Sequence, residues 1–278
     1  MHALKNMSRN KNSGKVLTLL GLVASGGIAV QVAAQTAPET PAAKAVEVAS
    51  GERAAHVEWG YTGPTGPDHW STLSKDYAIC NSGEQESPID LKDAIPADLG
   101  RLAIAWKPLA IRATNNGHTV QYDAPPGSSF AVGGKTYALA QFHIHHPSEH
   151  LLNGRRFPLE IHFVHKLADG GFGVVGVLVA KGVGNPTLGK MIAAIPAEEG
   201  ATGTGPMIDP RALLPVARGF DRYEGSLTTP PCAEAVDWVV LRTPITASAA
   251  QIDRFAAFFP FNARPIQPLD RRFLLASR

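Results

Sequence analysis

The chain has little charge, few aromatic residues and almost no cysteine. Only 18% of its 278 residues are charged and 7% aromatic, and there are two cysteines. With 44% hydrophobic residues and no extensive low-complexity tract, it is not a disordered chain. No apolar run reaches the roughly 20 residues needed to span a membrane. Helical periodicity is scarce, whereas Gly (27) and Pro (22) are plentiful. That combination points away from a helical bundle and toward a loop-rich β architecture. The sequence shows no internal repeat and no interior linker.

Acidic residues are missing altogether from the first 34 positions, where Lys5, Arg9, Lys11 and Lys15 precede an apolar run of 17 residues. Val32-Ala33-Ala34 then offers the small side chains that signal peptidase accepts. Residues 1–34 read as a cleavable signal peptide, and the alternative, a membrane anchor, is poorly served by so short a run. Cleavage removes four of 26 basic residues and none of the 24 acidic ones, turning a formal +2 into −2. No basic patch remains to argue for nucleic acid. Residues 35–55, rich in Ala, Thr, Glu and Pro, read as a flexible linker. Residues 56–278 read as one β-rich domain. An exported chain implies a periplasmic or secreted protein, and its two cysteines, Cys80 and Cys232, are expected to pair rather than remain as buried thiols.

Runs at 102–106, 119–122, 137–145, 159–165, 172–180 and 237–242 have strand character, punctuated by Gly, Pro and Asn. The run at 172–180 is almost wholly apolar, so both of its faces are expected to be buried. Leu188, Met191, Ile192 and Ile195 share a helical face. Asp209-Pro210 marks a short helix start, and Ile252, Phe255 and Phe259 mark another helix beginning near Ser248.

Six of the ten histidines fall between His143 and His165. His143 and His145 are two apart in a strand-like run, on one face, with Ile144 on the other. His162 sits in the next such run. If those strands pair, three imidazoles converge, and three neutral imidazoles plus a water make a catalytic zinc site with one open position. The same alternation puts Gln141 beside His143 and His145, and Glu160 beside His162, as acceptors for the imidazole N–H groups turned away from the metal. His146 and His165 fall on the opposite phase and read as structural. His150 is expected to order its loop, and His56 and His69 remain unassigned. His143-Ile144-His145 followed by Glu149 also resembles the first cupin motif, with Glu149 as a fourth ligand to iron or manganese. The second cupin motif is not found.

A longer series of motifs carries a stronger resemblance. Trp59-Gly60-Tyr61, Gly66-Pro67, Ser87-Pro88-Ile89, Asn116-Gly117-His118, Gln141-Phe142-His143-Ile144-His145, Pro147-Ser148-Glu149-His150, Glu160-Ile161-His162, the run from Gly225 through Leu227-Thr228-Thr229 to Cys232, and Asn262-Ala263-Arg264-Pro265 occur in this order. Together they resemble the alpha-class carbonic anhydrases, and the cysteine pair is similar to that of secreted bacterial members. The resemblance implies a mainly β single domain around a large twisted, mostly antiparallel sheet with short surface helices. It implies Zn2+ on His143, His145 and His162, supported by Gln141, Glu160 and the backbone carbonyl of Asn262. Thr228 matches a gatekeeper whose hydroxyl donates to Glu149 and so orients the zinc-bound hydroxide that attacks carbon dioxide. Val164, Val174, Val236, Leu227 and Trp238 match the apolar substrate wall, and Thr229 and Tyr61 match residues that border the substrate and order its water.

His118 matches the family's proton shuttle. An imidazole titrates near 6.5 and zinc-bound water near 7, so transfer between them is nearly thermoneutral. The implied substrate is the small molecule carbon dioxide or bicarbonate, with no nucleic acid and no membrane after signal cleavage. Secreted bacterial members are often dimers, which makes a homodimer an implied state, though no residue in the sequence marks an interface. One departure is Glu86, where the family usually carries glutamine: the change removes two donors and adds a charge. The competing readings are a catalytically silent relative acting as a binding protein and a cupin-type oxygenase.

Overall fold

The computed structural model describes residues 57–278. The proposed signal peptide and the whole of the linker, with His56, lie outside the described residues. The strands are β1 (Asp90–Leu91), β2 (Ile95–Ala97), β3 (Ala103–Ala105), β4 (Leu109–Asn115), β5 (Val120–Asp123), β6 (Ser129–Val132) and β7 (Lys135–His145). They continue as β8 (Leu151–Leu152), β9 (Leu159–Lys166), β10 (Phe172–Lys181), β11 (Thr202–Ile208), β12 (Phe220–Gly225), β13 (Val236–Ala247) and β14 (Leu275–Ser277). Twelve of them form one sheet in the order β11-β4-β5-β7-β9-β10-β13-β12-β14-β2, with β6 on β7 and β3 on β6. The β10–β13 and β14–β2 pairs are parallel and the other pairings in this sheet are antiparallel, so the sheet is mostly antiparallel as expected. A separate parallel pair joins β1 to β8.

The apolar run of β10 lies in the middle of the sheet, antiparallel to β9 and parallel to β13, and is buried on both faces from Gly173 to Val179. A residue flanked by strands on both sides and covered above and below has no face for polar side chains, which is why the alternation is lost there. On one side of the sheet Phe142, Ile144, Ile161, Phe163, Val175 and Val177 join the larger apolar core. On the other side Val164, Val174, Trp238 and Val240 form a second cluster. β9 divides itself between the two, with Ile161 and Phe163 facing one way and Glu160, His162 and Val164 the other.

Few helices cover this sheet. α1 (Trp70–Leu73) and α2 (Ile79–Ser82) are single turns near the amino-terminal end of the described chain. α3 (Pro186–Ala193) begins where the Asn185 side chain accepts from the Thr187 and Leu188 amides, and it buries Leu188, Met191 and Ile192. Ile195 lies beyond its end and still packs in the core. α4 (Ala249–Phe258) starts with a reciprocal cap between Ser248 and Gln251 and buries Ile252 and Phe255, with Phe259 just past its end. Asp209 caps the 3-10 turn Pro210–Leu213. Among the described residues no helix is long and apolar enough to cross a membrane.

The strand expected over 102–106 is shorter: only Ala103–Ala105 pairs, and Trp106 leaves the strand to bury its ring. β1, β2, β4, β6, β8, β11, β12 and β14 were not anticipated. In β4 the apolar positions Leu109, Ile111 and Ala113 do alternate with exposed or half-buried ones, whereas β12 reads Phe-Asp-Arg-Tyr-Glu-Gly and looks like a polar loop.

Candidate active site

Register brings the three histidines together. β7 and β9 pair with His143 opposite His162, and His145 opposite Glu160. Uninterrupted alternation along β7 would put Leu139 and Gln141 on the same face. A register shift between these two residues breaks the phase, so Leu139 enters the larger core while Gln141 joins His143 on the other face. Gly176 of β10 lies opposite His162, and a Cβ there would stand 3.1 Å from Glu160 Oε1. A glycine at this position leaves room for that carboxylate.

One ring nitrogen of each histidine is held from behind. His143 Nδ1 donates to Gln141 Oε1 at 2.9 Å, His145 Nδ1 to the Asn262 carbonyl at 2.7 Å, and His162 Nε2 to Glu160 Oε1 at 2.9 Å. The remaining nitrogens face one another, and ligand atoms of the three lie within 4.8 Å of each other. His145 Nε2 is buried there with no hydrogen-bond partner. Burial, reinforced for His143 by the other two imidazoles, pushes His143 well below its ordinary value, and burial brings His145 down to about 4. His162 is lowered for the same reason, against the pull of Glu160. Three neutral imidazoles with their lone pairs aimed at one point, one of them orphaned, fit a cation such as zinc.

Glu149 stands over this cluster, with Oε2 3.4 Å from His145 Nε2 and 3.8 Å from His162 Nδ1. Its Oε1 accepts the Arg264 backbone N–H at 2.8 Å, whereas Oε2 is buried without a partner. Burial lifts its carboxyl to about 7, opposed by His162, the Arg264 amide and the nearby Thr228 hydroxyl. Burial also opposes the charge of Glu160, but His150 and His162 hold its carboxyl well below the usual range. Tyr61 is raised well above 10 by burial and by the charge of Glu149.

A cavity of about 430 Å3 opens onto His143, His162 and Thr228, with Thr229 at its side. Val164, Val174, Leu227 and Trp238 give it an apolar wall. Val236 is not among its lining residues; it is 3% exposed and packs with Val174 and Trp238 in the cluster behind that wall. A larger concavity of about 940 Å3 lies elsewhere, beside Arg222, Arg272 and Phe273. Its Arg272 already donates to three backbone carbonyls and its Arg222 to Asp237, so it gathers no comparable chemistry.

His118 is half-buried and does not line the cavity. It sits on a turn in which Gly117 takes φ +80°, while the Asn115 and Asn116 side chains accept from the Gly117 and His118 amides. Its ring stacks on Trp59 with centroids 3.7 Å apart. Trp59 and Tyr61 pack on Trp70 beside the Cys80–Cys232 disulfide, which joins α2 to the loop that follows Thr228 and Thr229.

His165 and His146 are structural, as their phase implied. His165 is fully buried against Trp106, and His146 donates to the Pro260 carbonyl. His69 is exposed. His150 does more than order a loop: fully buried, it bonds Glu160 at 2.8 Å and the Tyr223 hydroxyl at 2.7 Å. Tyr223, Ser226 and Arg264 were missed as parts of this network, because their partners lie more than 70 residues away along the chain. The only early signal was their place inside or beside the ordered motifs. Glu86 is buried at 3% exposure, and its Oε2 accepts from the Arg264 guanidinium and from Ser226 Oγ at 3.3 Å. Burial raises its pKa, against the pull of Arg264.

Three neutral histidines on adjacent strands of a large sheet, beside a cavity with an apolar wall, define a β-sheet protein with a group of side chains that could hold a metal ion. A family model described as eukaryotic-type carbonic anhydrase matches residues 65–278. A carbonic anhydrase from Nostoc is 42% identical over 235 residues, covering 82% of this chain and 89% of that protein. One from Pectobacterium carotovorum is 41% identical, covering 79% and 91%. The solved alpha-carbonic anhydrase of Thermovibrio ammonificans, in complex with the inhibitor sulfanilamide, superposes with a TM-score of 0.77 at 41% identity over 79% of this chain and 99% of that one. The chain belongs to the alpha-class, or eukaryotic-type, carbonic anhydrase family, and that membership makes it an enzyme and supports carbon dioxide hydration as its reaction.

Proposed function

We propose that the protein catalyses the reversible hydration of carbon dioxide to bicarbonate and a proton, with Zn2+ held by His143, His145 and His162. The observation that carries this reading is the convergence of three neutral imidazoles, each backed by an acceptor, beside an apolar cavity. Zinc bound there supplies Lewis acidity, which brings a water to a pKa of about 7 and so provides hydroxide near neutral pH. The chain's own residues do the rest. Glu149 accepts from the Thr228 hydroxyl, which leaves the threonine oxygen only lone pairs to offer. A nucleophile that donates to it is fixed in direction. Carbon dioxide has no charge and no donor, so Val164, Val174, Leu227 and Trp238 receive it without competing hydrogen bonds, with Val236 supporting them from behind. Thr229 and Tyr61 order the water of the cavity. His118 takes the proton released at the site and passes it to buffer.

Residues 56–278 form the catalytic domain in this reading, carried out of the cytoplasm by the signal at 1–34 and preceded by the linker at 35–55. The disulfide and the bacterial relatives support a periplasmic or secreted location. His143→Ala tests the ligand assignment. The expected result is a folded protein with lowered zinc content and no hydration activity. Full zinc and full activity in that variant refute it.

A further inference from the structure

We infer that Glu86 is a positioning residue for both halves of the gate, Glu149 and Thr228; this rests on the reading of those two residues given above. Arg264 is 2% exposed, and its guanidinium is tied down on the amino-terminal segment: Nη1 donates to Glu86 and to the Ser87 carbonyl at 2.9 Å, Nη2 to the Cys80 carbonyl at 2.6 Å. The backbone N–H of the same residue donates to Glu149 Oε1. Beside the Thr228 hydroxyl, that amide is what aims the Glu149 carboxylate. A guanidinium buried this deeply keeps its place only when its N–H groups find acceptors, and Glu86 Oε2 supplies one of them beside the Ser87 and Cys80 carbonyls.

The same oxygen of Glu86 also lies 3.3 Å from Ser226 Oγ, whose single proton it shares with the Leu227 carbonyl at 2.9 Å, and Ser226 stands two residues before Thr228. Ser226 is further locked to Ser87, whose amide donates to Ser226 Oγ at 2.9 Å while the Ser226 amide donates to Ser87 Oγ at 3.0 Å. Glu86 Oε2 is therefore the shared acceptor of two groups, one behind each gate residue. Neither contact reaches a metal ligand or the cavity. Glu86 acts through Arg264 and Ser226 on the orientation of the gate, and proton release by way of His118 does not pass through it.

The test uses the full mature protein and three variants: Glu86→Ala, Glu86→Asp and Glu86→Gln. Two quantities are read, kcat/KM for hydration in the zinc-loaded protein and the exchange rate of the Arg264 backbone amide in the metal-free protein by NMR. Glu86→Ala is expected to lower kcat/KM roughly tenfold by loosening the gate. The dependence of turnover on added buffer should stay as in the parent, and Arg264 amide exchange should quicken by roughly tenfold or more. Glu86→Gln should restore both readings, because a carboxamide oxygen still accepts from Arg264 and Ser226. Should the alanine variant not fold, Glu86→Asp, which withdraws the carboxylate by one methylene, is read by the same two measures. A folded Ala or Asp variant with both quantities within about twofold of the parent overturns the inference, as does a loss of activity with unchanged Arg264 exchange, or a failure of glutamine to rescue. If the parent itself does not hydrate carbon dioxide, the functional reading fails, and the Arg264 exchange rate alone still decides whether Glu86 anchors that residue.

Discussion

Replacing Glu160 by glutamine keeps its shape and changes what it can accept. The carboxylate takes four donors: Oε2 accepts from the Glu149 and His150 amides, both at 2.9 Å, and Oε1 from His150 Nδ1 at 2.8 Å and His162 Nε2 at 2.9 Å. A glutamine has one oxygen and one NH2 for these two positions. Backbone amides cannot become acceptors, so the oxygen must turn toward them. The NH2 then faces two imidazole nitrogens that must accept. His150 can comply, since its other nitrogen then donates to the Tyr223 hydroxyl. For His162 the same switch moves its proton to Nδ1, the atom that faces the other two ligands, and a protonated nitrogen binds no metal. Losing such a supporting partner costs about 10–100-fold in metal affinity, or roughly 1.4–2.7 kcal/mol. The assay is zinc occupancy across a series of chelator-buffered free zinc concentrations, with circular dichroism to establish folding. Affinity within about threefold of the parent, with His162 Nδ1 unprotonated by NMR, refutes the tautomer argument.

Three further outcomes are expected. His118→Ala should slow turnover roughly tenfold or more in weak buffer, with recovery on adding imidazole; turnover indifferent to both changes removes His118 as the shuttle. Asp221 is 2% exposed, and burial lifts its carboxyl to about 6 against the pull of Arg242. Its folded value lies above an unfolded value near 4, so the stability it contributes is full below about pH 4 and is lost as pH rises through 6. Asp221→Asn should therefore gain about 1–2 kcal/mol at pH 8 and nothing at pH 4 in urea titrations, and a variant weakened at pH 8 contradicts this. Reducing the Cys80–Cys232 bond, which spans 152 positions, should cost up to about 5 kcal/mol in the chain-entropy account. An unchanged unfolding midpoint after reduction rules that account out.

Much of the site could be read from spacing because it lies on two strands that are neighbours in sequence. His143, His145 and His162, with Gln141 and Glu160, needed only alternation and one antiparallel pairing. Even there the phase broke at the register shift before Gln141, which no local rule announced. Asn262 and Thr228, which meet these strands from beyond residue 220, were assigned through the family resemblance alone. The chain from Glu160 through His150 to Tyr223, and that from Glu86 through Arg264 to Glu149, were invisible because each link is a buried contact between distant segments. Polar residues in such contacts carry no periodic signature; β12, whose residues show no strand signal, is the same failure in a strand. The apolar β10 run, the buried face of α3, the start of α4 near Ser248 and the short helix after Asp209 were legible, since each depends on residues within a few turns or one strand.

The most direct test of the central claim is stopped-flow hydration of carbon dioxide by the mature chain in indicator buffer, run before and after metal removal and again after zinc is returned. The account predicts fast hydration that disappears with the chelator and returns with zinc. A folded, zinc-loaded protein that hydrates carbon dioxide no faster than buffer alone would contradict it.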